Sequence, residues 1–213
     1  MAKYDPTRHN RRSIRLPAYD YTQPGAYFVT ICSQNRECLF GDVISGEMIL
    51  NQRGEMVERT WRELPQNYPG VDVDAFVVMP NHVHGIIVLV GANPLGVGPV
   101  GAGPRACPEG PGACPGRPQG VAPTMSLPDV VHRFKSLTTT RYRTGVLQDG
   151  WQPFPGRLWQ RNYYEHVIRD EEELDRIRQY IIDNPGRWED DVENPDVRSN
   201  AHWAHARPAL GTP

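Results

Sequence analysis

Two short apolar runs, residues 76–79 and 86–90, flank a polar centre, and each has the length of a strand rather than a helix. Pro80-Asn81 between them is a turn signal, so residues 71–90 read as an antiparallel hairpin. Ala26-Tyr27-Phe28-Val29-Thr30-Ile31-Cys32 is a further strand of β-branched and aromatic residues. In residues 42–50, Ser45-Gly46 sits between apolar pairs and predicts a small hairpin. Met56, Val57, Trp61 and Leu64 recur near helical spacing, with Pro65 expected to stop that helix.

Residues 91–125 break the pattern: Gly, Pro and Ala dominate and no periodicity survives. Such a segment has too little apolar surface to offset its ordering entropy, so it reads as a disordered insertion. Periodicity resumes at Ser126, a candidate N-cap with Asp129 three residues on, ahead of a helix that turns Val130, Val131, Phe134 and Leu137 inward. Residues 159–168 read as an aromatic-rich strand, and Asp170-Glu171-Glu172-Glu173 opens a last helix with an apolar stripe of Leu174, Ile177 and Ile181. Pro185-Gly186 ends that helix. The order is βαββαβ plus a C-terminal helix: an α+β, ferredoxin-like antiparallel sheet with helices on one face and the last helix added. The expected divisions are a basic arm (1–24), a main domain (25–190) carrying the insertion, and a flexible tail (191–213).

Composition narrows the classes. The chain has 213 residues, enough for one domain with a real core, and its 38% hydrophobic and 23% charged content is ordinary globular usage. A formal net charge of -2 announces no global field for a polyanion, so local patches carry any such argument. Cys32, Cys38, Cys107 and Cys114 form no C-x-x-C pair, which weakens both a zinc site and a disulfide framework. No basic start precedes an apolar stretch and no apolar run nears a membrane span, so a reducing cytoplasm is the expected location. The Gly-rich insertion contains no Walker motif.

The candidate chemistry begins with His82-Val83-His84. Side chains alternate along a strand, so both imidazoles share a face and can grip one divalent cation, while Val83 turns to the core. Tyr180 and Asn184 lie one helical turn apart, on the flank of the last helix's apolar stripe. Arg8, Arg11, Arg12 and Arg15 form a basic arm with interleaved tyrosines. Arg133, Lys135, Arg141 and Arg143 make the helix after the insertion basic, in a stretch nearly free of acids. Both are candidates for DNA-backbone contact.

Pro80-Asn81-His82-Val83-His84, the strand near residues 158–169 and Tyr180-Ile181-Ile182-Asp183-Asn184-Pro185 together resemble the HUH single-tyrosine transposases, most of all the REP-associated tyrosine transposases. Arg11-Arg12-Ser13-Ile14-Arg15-Leu16, then Tyr19-Asp20-Tyr21 and Gly25-Ala26-Tyr27-Phe28-Val29-Thr30-Ile31, resemble their N-terminal part. By motif order the resemblance covers about residues 8–90 and 126–188. It implies a single-strand DNA nickase and strand transferase acting on hairpin or palindromic repeat DNA. Tyr180 would be the nucleophile, forming a 5′-phosphotyrosine, and Mg²⁺ or Mn²⁺ would be held by His82, His84 and Asn184. Tyr163 and Tyr164 are rival nucleophiles, whereas His132 and His166 read as surface or packing residues. The implied partner is single-stranded or hairpin DNA, with no membrane, and the protein a monomer or homodimer. Two other classes stand beside it: an inactive regulator that only binds single-stranded or hairpin DNA, and a metal-dependent phosphodiesterase or RNA-binding ferredoxin-like module with no covalent step. A zinc hydrolase is weaker, because no third ligand stands at a convincing spacing.

Overall fold

The structure is a computed structural model and describes residues 19–90 and 125–200, with side chains described to 197. The basic arm to residue 18, the insertion between 91 and 124, and residues 201–213 lie outside the described residues. Strand β1 (Gly25–Cys32) is followed by a hairpin, β2 (Gly41–Ile44) and β3 (Glu47–Leu50). Ser45 and Gly46 make its two-residue turn with φ of 53° and 80°, the left-handed pair that matches strand twist and that Gly adopts without penalty. Helix α1 (Gln52–Arg62) begins at Asn51, whose side chain accepts from the Arg53 and Gly54 amides. Pro65 does not close this region but opens a short α2 (Leu64–Asn67), because a first-turn proline loses no helical hydrogen bond.

β4 (Val71–Val78) and β5 (His82–Leu89) form the expected hairpin. α3 (Leu127–Gln148) starts with the capping box of Ser126 and Asp129. The strand expected over 159–168 is shorter, β6 (Tyr164–Ile168), with only an isolated bridge from Trp159 to Ser33 before it. Lys135 Nζ donates to the Gln160 and Asn162 carbonyls at 3.0 and 3.1 Å, so these carbonyls are met by a side chain, and of this stretch the Gln160 amide reaches β1, donating to Cys32 O at 2.9 Å. α4 (Glu171–Asp183) follows, capped by the Asp170 carboxylate. Residues 185–190 continue as a 3₁₀ turn and α5 (Pro195–Asn200) comes last.

The four-stranded sheet runs β4-β5-β1-β6 with every neighbour antiparallel, the ferredoxin-like order expected for βαββαβ. Its two faces are covered differently. Tyr27, Val29, Ile31, Val83 and Ile87 pack against Val57 and Trp61 of α1 and Val130 and Phe134 of α3. Phe28 and Ile86, pointing the other way, meet Ile177 and Ile181 of α4. The His82 and His84 side chains belong to this second face. Among the described residues no helix is long and apolar enough to cross a membrane.

A bulge in β4 decides how α4 seats. The register with β5 shifts between Val73 and Phe76, so core-facing positions change parity from 71 and 73 to 76 and 78. Asp74 is left to accept from Arg178 of α4 at 3.0 and 2.6 Å. The Arg178 guanidinium holds the Asp74 carboxyl below its ordinary value of 3.8. The folded protein therefore binds this proton less readily than the unfolded chain, so the contribution is complete above the ordinary value and lost as pH falls through the depressed one. Asp74→Asn is expected to cost about 1 kcal/mol at neutral pH, since the pair is bidentate but partly exposed. Urea midpoints should differ between the two proteins near neutrality and converge in acid. Parallel acid limbs would place the effect elsewhere.

Candidate metal and nucleophile site

The histidine pair is set by the β4–β5 turn and the loop that grips it. The Met79 amide donates to His82 O at 2.8 Å, the Ser33 amide to Asn81 O at 2.7 Å, and the Phe40 amide to Pro80 O at 3.0 Å. Chain on both sides of the turn is thus tied, and His82 and His84 are 0% and 3% exposed. Their rings touch edge to face, 4.4 Å between centroids. Each ring has one nitrogen occupied: His82 Nδ1 lies 2.8 Å from Asn81 Oδ1 and His84 Nδ1 lies 2.9 Å from Thr30 Oγ1. Such partners fix ring orientation and leave Nε2 of both rings for a ligand. Burial lowers the His82 pKa to about 3, with the Arg36 charge adding to it and the Asn184 amide opposing. Burial, then the neighbouring His82, pushes His84 well below the usual range. Both rings are neutral at physiological pH, the form that binds metal.

α4 brings the phenol. Ile177 and Ile181 seat the helix on Phe28 and Ile86, and Tyr180 falls on the flank beside the histidines. Its Oη lies 3.4 Å from His84 Nε2, and its ring packs on His84 and Phe28 at 5.3 and 5.9 Å. Burial raises the phenol to about 12, with Asp191 adding to the rise and Asn184 opposing it. Asn184 is 2% exposed at the end of α4, and its Oδ1 has no hydrogen-bond partner.

The chain then returns over the pair. Residues 191–197 were expected in a flexible tail, yet they continue the described fold. The ligand atoms of His82, His84 and Asp191 all lie within 4.8 Å of one another, a group able to hold a metal ion. His82 Nε2 is buried with no hydrogen-bond partner, and Asp191 Oδ2 is 3.7 Å from it. Glu193 pairs with Arg36 and accepts from Cys32 Sγ. Asn81 Nδ2 donates to the Arg36 and Glu193 carbonyls at 3.1 and 2.8 Å, so one amide orients His82 and anchors the returning chain. Asn81→Ala removes one buried and two partly buried hydrogen bonds and leaves the Glu193 carbonyl without that donor, which is expected to cost about 1–3 kcal/mol. Thermal melts of the two proteins check it, and equal midpoints would contradict it.

The donor set fits a divalent cation: two neutral imidazoles, a carboxylate and an amide oxygen, with the His82 nitrogen otherwise unsatisfied in a buried site. The other candidates scatter. The Tyr163 ring lies under Lys135 Nζ at 5.3 Å, among side chains on the opposite sheet face from the histidines. Tyr164 is on the histidine face but on β6, two strands from β5, packed on Phe28. His166 bonds Glu173 at 2.7 Å. The basic row expected on α3 is divided, and α3 itself packs on the sheet face opposite the histidines. Lys135 is spent on carbonyls and lowered to about 8 by burial. Arg141 is paired with Glu63 at 2.6 Å and with Thr60. Arg133 and Arg143 remain exposed, over the Tyr68 and Phe154 rings. Arg8, Arg11, Arg12 and Arg15 lie outside the described residues.

Asn81, Thr30, Arg36 and Asp191 were not picked out by sequence reasoning. Asn81 adjoins the histidines and Thr30 sits on a neighbouring strand with the right parity, so those two had a signal. Asp191 had none, because its place depends on the path after α4.

No family model matches the chain. An uncharacterized protein of Haemophilus influenzae is 40% identical over 194 residues, spanning 89% of this chain and 96% of the relative. Among solved structures, a REP-associated tyrosine transposase bound to a REP hairpin is 19% identical, with a TM-score of 0.45, covering 87% of this chain and 73% of that one. A candidate transposase from Deinococcus radiodurans R1 is 18% identical, with a TM-score of 0.39, covering 81% of this chain and 98% of that one.

Proposed function

We propose that this chain, which belongs to one family with the Haemophilus influenzae protein, nicks and rejoins single-stranded DNA at hairpin or palindromic repeats through a covalent tyrosine intermediate. The observation that carries the reading is the approach of one phenol to a buried imidazole pair: Tyr180 Oη at 3.4 Å from His84 Nε2, with Asn184 one turn along the same helix. His82, His84 and Asn184 would hold Mg²⁺ or Mn²⁺. That cation, when bound, supplies charge to polarise the phosphoryl oxygens.

Tyr180 is the nucleophile in this reading. Its phenol releases a proton, the Oη–P bond forms, the bond from phosphorus to the 3′ oxygen breaks, and that oxygen leaves as a 3′-hydroxyl. The 5′ phosphate is retained on the tyrosine, which conserves the bond for rejoining without a nucleotide triphosphate. With the phenol held near 12 by burial, the hydroxyl is protonated at neutral pH before DNA arrives. Contacts to the DNA backbone would come from Arg8, Arg11, Arg12 and Arg15 and from the exposed Arg133 and Arg143, giving affinity that weakens with salt. A cytoplasmic location, as monomer or homodimer, goes with this reading.

The test is incubation with single-stranded hairpin oligonucleotides carrying flanks, with Mg²⁺ or Mn²⁺, and separation under denaturing conditions. The expected result is a protein–DNA adduct at the 5′ end of the fragment downstream of the nick, and an upstream fragment that ends in a free 3′-hydroxyl. Cleavage with no adduct would replace the reading by a phosphodiesterase, and binding with no cleavage by a DNA-binding regulator.

A further inference from the structure

We infer that Asp191 is an anionic ligand of the metal centre, delivered by the chain that returns after α4. The inference rests on the metal-site reading above and adds a residue to it. His82 Nε2 and Asp191 Oδ2 stand 3.7 Å apart, beyond hydrogen-bond length. Two ligands of one cation with bonds of about 2.1 Å are separated by about 3–4.2 Å, from cis to trans. The separation therefore suits a shared ion between the two atoms, and His84 lies within the same 4.8 Å cluster. An independent observation points into the same space: His82 is 0% exposed and its Nε2 has no hydrogen-bond partner. A buried imidazole nitrogen left unsatisfied costs free energy unless something occupies the position.

The carboxylate is oriented as metal-binding carboxylates are. Asp191 Oδ1 accepts from the Glu193 amide at 2.7 Å, which turns Oδ2 toward His82. The segment is itself held. The Asn194 amide donates to Asp191 O at 3.0 Å, Glu193 pairs with Arg36, and Asn81 Nδ2 donates to Glu193 O while Asn81 Oδ1 meets His82 Nδ1. A change at one ligand is thereby felt at the other. The set becomes two imidazoles, a carboxylate and the Asn184 amide. The added anion suits a divalent cation of the oxygen-accepting class, whereas two imidazoles alone would suit softer ions as well.

Full-length protein freed of metal is titrated with Mn²⁺, with free Mn²⁺ followed by electron paramagnetic resonance. Wild type is expected to bind one ion, and His84→Ala to lose it. Asp191→Asn keeps the shape and removes the charge, and should weaken binding about tenfold or more. Asp190→Asn removes an exposed charge next door and should leave affinity unchanged. Asp191→Cys should lose Mn²⁺ and gain Cd²⁺, because a thiolate ligand selects the softer ion. That arm stands even if Asp191→Asn folds poorly. Mn²⁺ binding that needs the histidines but is untouched in Asp191→Asn overturns this inference and leaves the metal site standing. Equal weakening in Asp190→Asn, or no Cd²⁺ gain, overturns it too. Absence of binding by wild type overturns the metal-site reading and the inference together.

Discussion

Tyr180→Phe is expected to abolish covalent capture of DNA while leaving the fold, Mn²⁺ binding and most DNA affinity in place. The substitution deletes one oxygen. The ring keeps its packing on Phe28 and His84, and the apolar seat of α4 does not involve the hydroxyl. The hydroxyl gives up a long hydrogen bond of 3.4 Å to His84 and its interaction with the Asn184 amide, together worth about 1 kcal/mol. Melting should therefore shift little, while adduct formation falls by on the order of 10³-fold or more, as when any nucleophile of a covalent mechanism is removed. Affinity persists because phosphate contacts elsewhere supply most of it. Tyr163→Phe and Tyr164→Phe should capture DNA like wild type, the first being on the wrong sheet face and the second two strands away. A denaturing gel of the three variants against wild type decides the matter. An adduct with Tyr180→Phe, or its loss in Tyr163→Phe or Tyr164→Phe alone, would move the nucleophile elsewhere.

Gly85→Ala should give a large loss of stability for a single methyl. Gly85 sits on β5 next to His84, and a Cβ there would enter the Trp61 ring, 2.9 Å from Cη2 and 3.0 Å from Phe76 Cβ. Trp61 is fully buried, stacked on Phe76 at 5.9 Å and edge-on to Phe134 at 5.1 Å, so the ring has little room to yield. β5 cannot move either, being paired with β4 on one side and β1 on the other. Overpacking of this kind costs about 1–3 kcal/mol. The alanine also lowers the entropy of the unfolded chain, which returns only about 0.4–1 kcal/mol. The clash wins, and the urea midpoint should fall accordingly. Trp61→Phe removes the atoms in conflict. Its own cost and that of Gly85→Ala should therefore fail to add, with a coupling of about 0.5–3 kcal/mol in favour of the double variant. Strict additivity, or a Gly85→Ala protein as stable as wild type, would mean that the space is larger than the structure has it.

Both arguments depend on parity along β5, and this was legible in the chain itself. Alternation places His82, His84 and Ile86 on one face and Val83, Gly85 and Ile87 on the other, and the structure follows it through residue 89. Apolar periodicity, Ser126 with Asp129, and Ser45-Gly46 likewise act over a few residues, so the elements they specify need no knowledge of the rest. The ferredoxin-like arrangement followed from those elements, since few topologies accept βαββαβ, but of the two hairpin strands expected at the centre only β5 is central and β4 lies at the sheet edge.

The departures have a common physical form. Residues 159–168 read as one strand on their aromatic content, but only 164–168 find ladder partners, and the Lys135 ammonium meets the Gln160 and Asn162 carbonyls instead. Arg141 reads as solvent-facing charge until α1 brings Glu63 to it. Asp191 belongs by composition to an acidic tail, and only the turn at 185–190, the Glu193–Arg36 pair and the Asn81 amide carry it to His82. By itself, then, the sequence determined the elements, their faces, and which histidines and which tyrosine could meet, because the periodicity of local backbone geometry is written in neighbouring residues. Tertiary structure alone decided which charges stay free and which carboxylate joins the histidines, because ion pairs and buried hydrogen bonds join residues a hundred positions apart, and no local pattern encodes that distance.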